Sequence, residues 1–218
     1  MPSFDTIGKS GTPVSLRDFA RRRTLVERCE LCSKELLTEH QHLIEPEQRK
    51  LICACDGCAL LFTTQAATKF RRVPRHSRYL PTFQLTDAQW NRLMIPIEMA
   101  FFFNSSPLER MVAFYPSPAG ATESLLAFET WDEVVKGNPA LANMLPDVEA
   151  LLVNRVGAAN GVVPEYFIAP IDECYKLVGV IRLYWQGLSG GTEMWREIQK
   201  FFTQLKAKSS VPREAARA

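Results

Sequence analysis

Short apolar runs separated by clusters of turn formers set the pattern through the middle of the chain. Ile97–Phe103 ends at Asn104-Ser105-Ser106-Pro107, Met111–Tyr115 ends at Pro116-Ser117-Pro118-Ala119-Gly120, and Ser124–Phe128 follows. Runs of this length, rich in aromatics and bounded by turn residues, predict a β-meander rather than helices. Glu165–Ala169 predicts a fourth strand on the same grounds. Helical spacing dominates elsewhere. Trp195, Ile198, Phe201, Phe202 and Leu205 fall on one face of a helix over about Thr192–Ala207, and Asp172 would cap another through Tyr175, Val178, Ile181 and Trp185. Thr86-Asp87-Ala88-Gln89 is a capping box for a helix Asp87–Met94, with Trp90 and Leu93 turned inward. Thr130-Trp131-Asp132-Glu133 is a second box, for a helix stopping near Gly137. Asn138-Pro139 pairs an N-cap with proline at the first helical position, and a helix from Pro146 through Leu151 and Leu152 is expected to end near Gly157. Residues 87–207 therefore read as an α+β domain, an antiparallel sheet with helices packed on one face.

Upstream the pattern changes. Residues 1–26 carry Gly8, Gly11 and Pro13 and predict a mobile segment with a short helix from Ser15, striped by Leu16, Phe19 and Ala20. Residues 27–73 form a cysteine-rich module. Pro74 and Pro81 mark 74–86 as a linker, and 208–218 reads as a disordered tail.

The candidate chemistry lies in the module. Five of the six cysteines and two of the three histidines fall between Cys29 and Cys58. Cys29-x-x-Cys32 and Cys55-x-x-Cys58 are separated by 22 residues, close to the paired spacing of zinc sites. Each turn presents two thiolates to one side of a tetrahedral cation, so the module is expected to be zinc-ribbon or treble-clef-like, with zinc as its metal and iron as the alternative. A rubredoxin-like iron centre uses the same pairs, but the glycine usual after the second cysteine is replaced here by Ser33 and Ala59. Arg28, Lys34, Arg49 and Lys50 are placed to offset the thiolate charge. Cys53, His40 and His42 are alternate ligands. If 39–55 is a hairpin turning at Pro46-Glu47-Gln48-Arg49 with Ile44 opposite Leu51, then His42 faces Cys53 and His40 faces Cys55. Alternation then puts both histidines on one side, where they would make a second cluster with Cys53, a transient metal or redox position. The plainer reading has the histidines bonding the hairpin or facing water.

Other motifs carry less. Cys174 stands alone on an expected helix and reads as a buried, inert thiol. Gly187-Leu188-Ser189-Gly190-Gly191 lacks the lysine and hydroxyl of a phosphate loop and reads as a helix–helix turn, and the turn-rich 115–124 segment is either a docking loop or a hairpin connection. No Ser/His/Asp order and no His-Glu-x-x-His is present, so no catalytic residue is assigned.

Composition is ordinary for a globular protein, 46% hydrophobic and 23% charged. No apolar run approaches the ~18 residues of a membrane span. Arg21-Arg22-Arg23 is followed by Thr24-Leu25-Val26-Glu27-Arg28-Cys29 and not by an export signal's apolar segment, so a cytoplasmic location is expected. The net charge of +2 is unevenly spread: residues 1–78 hold 14 basic against 9 acidic side chains, residues 79–218 hold 12 against 15. Lys69, Arg71, Arg72, Arg75 and Arg78 form a basic stretch that makes a zinc-dependent nucleic-acid-binding regulator the alternative function.

Several phrases carry a resemblance: Arg28-Cys29-Glu30-Leu31-Cys32, His40-x-His42-Leu43, Cys53-Ala54-Cys55, Cys58-Ala59-Leu60-Leu61-Phe62, the Phe101–Phe103 run, Phe114–Ser124 and Gly187–Gly191. From about residue 27 to 206 the chain resembles an uncharacterised bacterial family whose genes are found near those of high-affinity nickel–iron hydrogenases. The resemblance implies a hydrogenase-linked accessory protein: an assembly or maturation factor, a metal or electron carrier, or a structural partner. The expectation is thus a non-enzymatic metal-binding protein that docks a hydrogenase subunit or maturation factor.

Overall fold

Two antiparallel sheets account for the strands of the computed structural model, which describes residues 26–63, 69–125, 128–187 and 190–212. The smaller joins β1 (Gln41–Glu45), β2 (Lys50–Ala54) and β3 (Arg71–Arg72) in the order β2-β1-β3. The larger has six strands, β4 (Arg78–Tyr79), β5 (Met99–Ser105), β6 (Arg110–Ser117), β7 (Gly120–Ser124), β8 (Glu149–Asn154) and β9 (Glu165–Pro170), in the order β4-β9-β8-β5-β6-β7. Five helices are described: α1 (Asp56–Leu61), α2 (Asp87–Arg92), α3 (Phe128–Gly137), α4 (Ile171–Tyr184) and α5 (Gly191–Lys208). The chain is α+β, and no described helix is long and apolar enough to cross a membrane.

Helices cover both faces of the large sheet, not one. Successive side chains of β5 point to opposite sides. Phe101 and Phe103 join Phe114, Leu152, Phe167 and the inner faces of α4 and α5, including Leu177, Ile181, Ile198 and Phe202. Ala100 and Phe102 face the other way, onto Trp90 of α2, Trp131 and Val134 of α3, and Leu141. This double burial explains why β5 and β8 read as unbroken apolar runs instead of alternating ones.

It also explains a helix that does not form. Residues 146–157 supply β8, between β5 and β9, where Ala150, Leu151, Leu152 and Val153 are all buried. A short apolar run has no period that separates a buried strand from a buried helix. The third meander strand is Gly120–Ser124, earlier than the expected Ser124–Phe128: Ser117 pairs with Gly120 across the two-residue turn Pro118-Ala119, so most of the turn-rich segment is sheet. The Thr86 capping box forms as read, whereas α3 starts at Phe128, ahead of Thr130. Asn138 does not cap with its side chain; it accepts from Gln84 N and donates to the carbonyls of Gln84 and Val134, before a short 3-10 helix Pro139–Asn143.

The expected linker is built into the fold. Within 74–86, β4 pairs with β9 and Leu80 is buried. Ser210, assigned to the tail, accepts from Tyr79 N and donates to Ser77 O. The expected N-terminal helix lies outside the described residues.

The small sheet docks on the large one through side chains of β1 to β3. Ile44 and Val73 are buried in the same core as Phe101 and Phe103, with Leu51 packed alongside. Polar contacts ring this patch. Arg49, in the β1–β2 turn, donates to Glu123 of β7 at 2.9 Å and lies over the Phe114 ring; Arg110 donates to the other Glu123 oxygen at 3.1 Å. Arg71 pairs with the buried Asp147 at 2.9 Å. The Arg49 hydrogen bond holds the Glu123 carboxyl below its ordinary value of 4.5, against the opposing effect of burial.

Two expectations follow. Phe101→Ala and Phe102→Ala should each cost about 3–5 kcal/mol in chemical denaturation, because each side chain is buried on its own side of the sheet; a sheet with one solvated face would leave one variant near neutral. Glu123→Gln should cost under about 1 kcal/mol near neutral pH, since these charges are partly solvent-screened. Glu123 has a depressed folded value, so its contribution is present above its ordinary value and lost as pH falls through the folded one. Denaturation curves of variant and parent should therefore converge in acid.

Candidate metal centre

Two cysteines come from a turn and two from the start of a helix. In the turn, Cys29 N donates to Lys34 O and Ser33 N to Cys29 O, each at 2.8 Å, and Arg28 bridges to Glu35. Ser33 takes a left-handed φ of 62°, the conformation that glycine adopts most cheaply. The turn thus forms without its usual glycine. At the helix, Cys55 is the N-cap of α1: its Sγ accepts from Cys58 N at 3.5 Å and its carbonyl from Ala59 N at 2.8 Å. Between them the β1–β2 hairpin brings the two pairs together.

The four sulfurs of Cys29, Cys32, Cys55 and Cys58 lie within 4.8 Å of one another, and Cys32 Sγ is 3.7 Å from Cys55 Sγ. Two thiolates bound at about 2.3 Å to a tetrahedral zinc stand about 3.8 Å apart, so the cluster fits such an ion with small adjustments. A shell of four thiolates suits zinc or iron alike. None of the six cysteines is in a disulfide.

Backbone amides, more than cations, favour the thiolates. Burial alone would raise the Cys29 thiol, but N–H groups of Cys55, Leu31 and Cys32 outweigh it and bring the thiol down to about 6. The N–H of Cys58 lowers Cys55, against some burial. Cys58 is pushed up, first by burial and then by the other three sulfurs; in such a cluster it is the thiol whose proton the metal itself must displace. Three of the four cations expected to offset the charge have carboxylate partners: Arg28 pairs with Glu35, Lys50 with Glu30 and Arg49 with Glu123.

Cys53 does not join the four. His42 pairs with Cys53 and Ile44 with Leu51, as the sequence register required, and the ladder ends at Gln41 opposite Ala54, just before His40 and Cys55. Leu43, Ile52 and Ala54 face the cysteine core, which also holds Cys29, Cys58 and Ala59. The opposite face carries Ile44, Leu51, His42 and Cys53. There one ring nitrogen of each of His40 and His42 and the Cys53 sulfur gather within 4.8 Å. His42 Nδ1 is 2.7 Å from Asp172 Oδ2 at the start of α4. Asp172 is the residue of this region that the sequence assigned only to helix capping. It lies 130 positions from His42, and nothing local marks the pairing.

The remaining candidates are absorbed by the fold. Cys174 is fully buried, and burial followed by the charges of Asp172 and Glu173 puts its thiol well above the ordinary value. The glycine-rich segment joins α4 to α5; Gly190 has φ +87° and a Cβ there would strike Met194, which accounts for glycine without a phosphate. In the basic stretch Lys69 pairs with Glu45, Arg71 with Asp147 and Arg78 with Glu149, while Arg72 donates to Gln41.

Removing one ligand tests the centre. Cys58→Ser should eliminate the metal bound at the four-cysteine site, measured by elemental analysis. Residues 29–62 should become the first sites of limited proteolysis, with the six-stranded sheet still protected, because structural metal of this kind supplies about 10–16 kcal/mol of apparent binding free energy to its module.

Comparison with known proteins gives one family and no functional relative. No curated protein and no solved structure matches the chain. A family model described as a family of unknown function, DUF5947, matches residues 28–209, which takes in the cysteine module, both sheets and the two closing helices. The chain belongs to the DUF5947 family.

Proposed function

We propose that this protein is a non-enzymatic accessory protein whose four-cysteine centre is a structural zinc site in a treble-clef-like module. The observation that carries the reading is the closed set of donors: four thiols within 4.8 Å satisfy a tetrahedral ion and leave no position for substrate or water. The order turn, hairpin, helix, with two cysteines at each end, supports the treble-clef description. Two cavities away from the cysteines add no rival centre. One of about 300 Å³ is lined chiefly by apolar groups such as Ile97, Tyr115, Trp185 and Ile198, and one of about 260 Å³ by Leu80, Phe83, Asn138 and Pro139; neither lining pairs a nucleophile with a base.

The partner in this reading is another protein, a nickel–iron hydrogenase subunit or maturation factor, on the strength of the family resemblance carried by the cysteine and 114–124 phrases. The nucleic-acid alternative is the weaker one, since four of its five cations already have internal acidic or amide partners. The iron alternative is separated by colour.

Protein purified without added metal should be colourless and carry zinc at the four-cysteine site, by elemental analysis and absorption spectroscopy. A visible band that bleaches on reduction would establish the iron-bearing redox carrier instead. Deleting the gene should lower hydrogenase activity or maturation, and full activity in the deletion strain would refute the proposed link.

A further inference from the structure

We propose that His40, His42 and Cys53 form a second metal site, for one late first-row divalent cation, with its fourth coordination position open to the cavity between the hairpin and α4. The site goes beyond the structural centre above and rests on neither its metal nor its partner.

The first argument is the protonation state that the hydrogen bonds impose. His40 Nδ1 lies 2.9 Å from Leu37 O, and a carbonyl oxygen only accepts, so Nδ1 carries the proton. In the neutral ring Nε2 then presents its lone pair. The His40 side chain is only 7% exposed, and its Nε2 is buried with no hydrogen-bond partner among the described residues. A buried acceptor of this kind left unmatched costs about 1–3 kcal/mol. A metal ion would relieve that cost. In His42, Nδ1 donates to the Asp172 carboxylate, which again leaves Nε2 as the lone-pair nitrogen.

The second argument is the outer shell. A metal-bound histidine usually donates its other ring N–H to a carboxylate or a backbone carbonyl, which fixes the ring and raises its basicity. Both arrangements are present here, one on each histidine. Asp172 is itself held by Glu173 N, which donates to its Oδ1 at 2.9 Å. The rings meet edge to face, 4.8 Å between centroids at 75°, so they converge instead of stacking flat.

The third argument is the ligand count and access. Donors on a tetrahedral ion with bonds of about 2.0–2.3 Å stand about 3.3–3.8 Å apart. One ring nitrogen of each histidine and the Cys53 sulfur lie within 4.8 Å of one another, at most about 1.5 Å beyond those spacings. Two imidazoles and a thiolate suit zinc, cobalt, nickel or copper and not magnesium or calcium. Three protein ligands leave one position free, the mark of a site that exchanges its ion or binds a further ligand. Both histidines border a cavity of about 350 Å³ that Pro74, Arg75, Asp172 and Lys176 also line.

The test is a cobalt titration of the full chain with zinc in the four-cysteine site, under reducing conditions. The wild type should take up one further equivalent, with a thiolate-to-cobalt charge-transfer band and ligand-field bands of a four-coordinate ion. Cys53→Ser should remove the charge-transfer band, and His42→Ala should abolish the second equivalent, with the first metal retained in both. Asp172→Asn should weaken the second equivalent about 10–100-fold, as loss of an outer-shell partner does. No second equivalent in the wild type, or one indifferent to Cys53→Ser and His42→Ala, would overturn the proposal. Should His42→Ala fold poorly by circular dichroism, Cys53→Ser and Asp172→Asn decide the question alone. Loss of the first equivalent instead bears only on the structural zinc.

Discussion

The alternation of side chains along the β1–β2 hairpin is the constraint on which the rest of the molecule depends. With a period of two, a strand must choose a face for every residue. Leu43, Ile52 and Ala54 take the face that covers the cysteine core; Ile44, Leu51, His42 and Cys53 take the face toward the large domain. A slip of one residue would turn His42 and Ile44 toward the cysteines and Leu43 toward the large domain, losing the packing on both sides at once. The two candidate clusters are therefore kept apart by strand geometry, although their residues interleave in sequence.

How much of this was legible depended on whether the information was local. Cys29, Cys32, Cys55 and Cys58 could be grouped from spacing, because two short turns deliver them. The hairpin register follows from matching Ile44 to Leu51, which places Cys53 opposite His42. Helices α2 and α5 announced themselves through a capping box and a long apolar stripe. The failures were non-local. Leu151 and Leu152 sit in a run too short to show a period, and only neighbouring β5 and β9 make that run a strand. That α2 and α3 cover a second face of the sheet was missed although Phe101-Phe102-Phe103 has no polar alternate. That unbroken run was the available sign that both faces are covered. The partnership of His42 with Asp172 left no mark in the sequence at all.

Charge shows the same contrast. The excess of basic residues before position 79 suggested an outward-facing electrostatic surface. In the fold, Arg49 and Arg71 reach Glu123 and Asp147 on the acidic second part, and Arg78 reaches Glu149. The asymmetry between the two halves is in good part the complementarity of a docking surface inside one chain. Pairs of this kind add little energy where solvent reaches them, but they fix orientation, and the burial of Ile44 and Val73 between the sheets supplies the adhesion.

The four-thiol centre also bears on the second cluster. The cysteine core has Leu43 and Ile52 as its large buried apolar side chains, with Ala54, Ala59 and the cysteines making up the rest. So small a core is weak against the conformational entropy of ordering its chain, and cysteine modules of this size usually need a metal to fold. The metal that closes Cys29, Cys32, Cys55 and Cys58 would hold both ends of the hairpin, since Cys29 precedes it and Cys55 ends it. Glu30 adds a clasp, exchanging hydrogen bonds with the backbone of Cys53. His40, His42 and Cys53 are thereby positioned on a strand pair whose register the first centre secures from behind. Asp172 then meets His42 from the large domain, so the trio sits where a tightly held module touches a separate helix. A ligand set with one wall fixed by a closed centre and the other supplied by α4 can be well ordered without being closed itself.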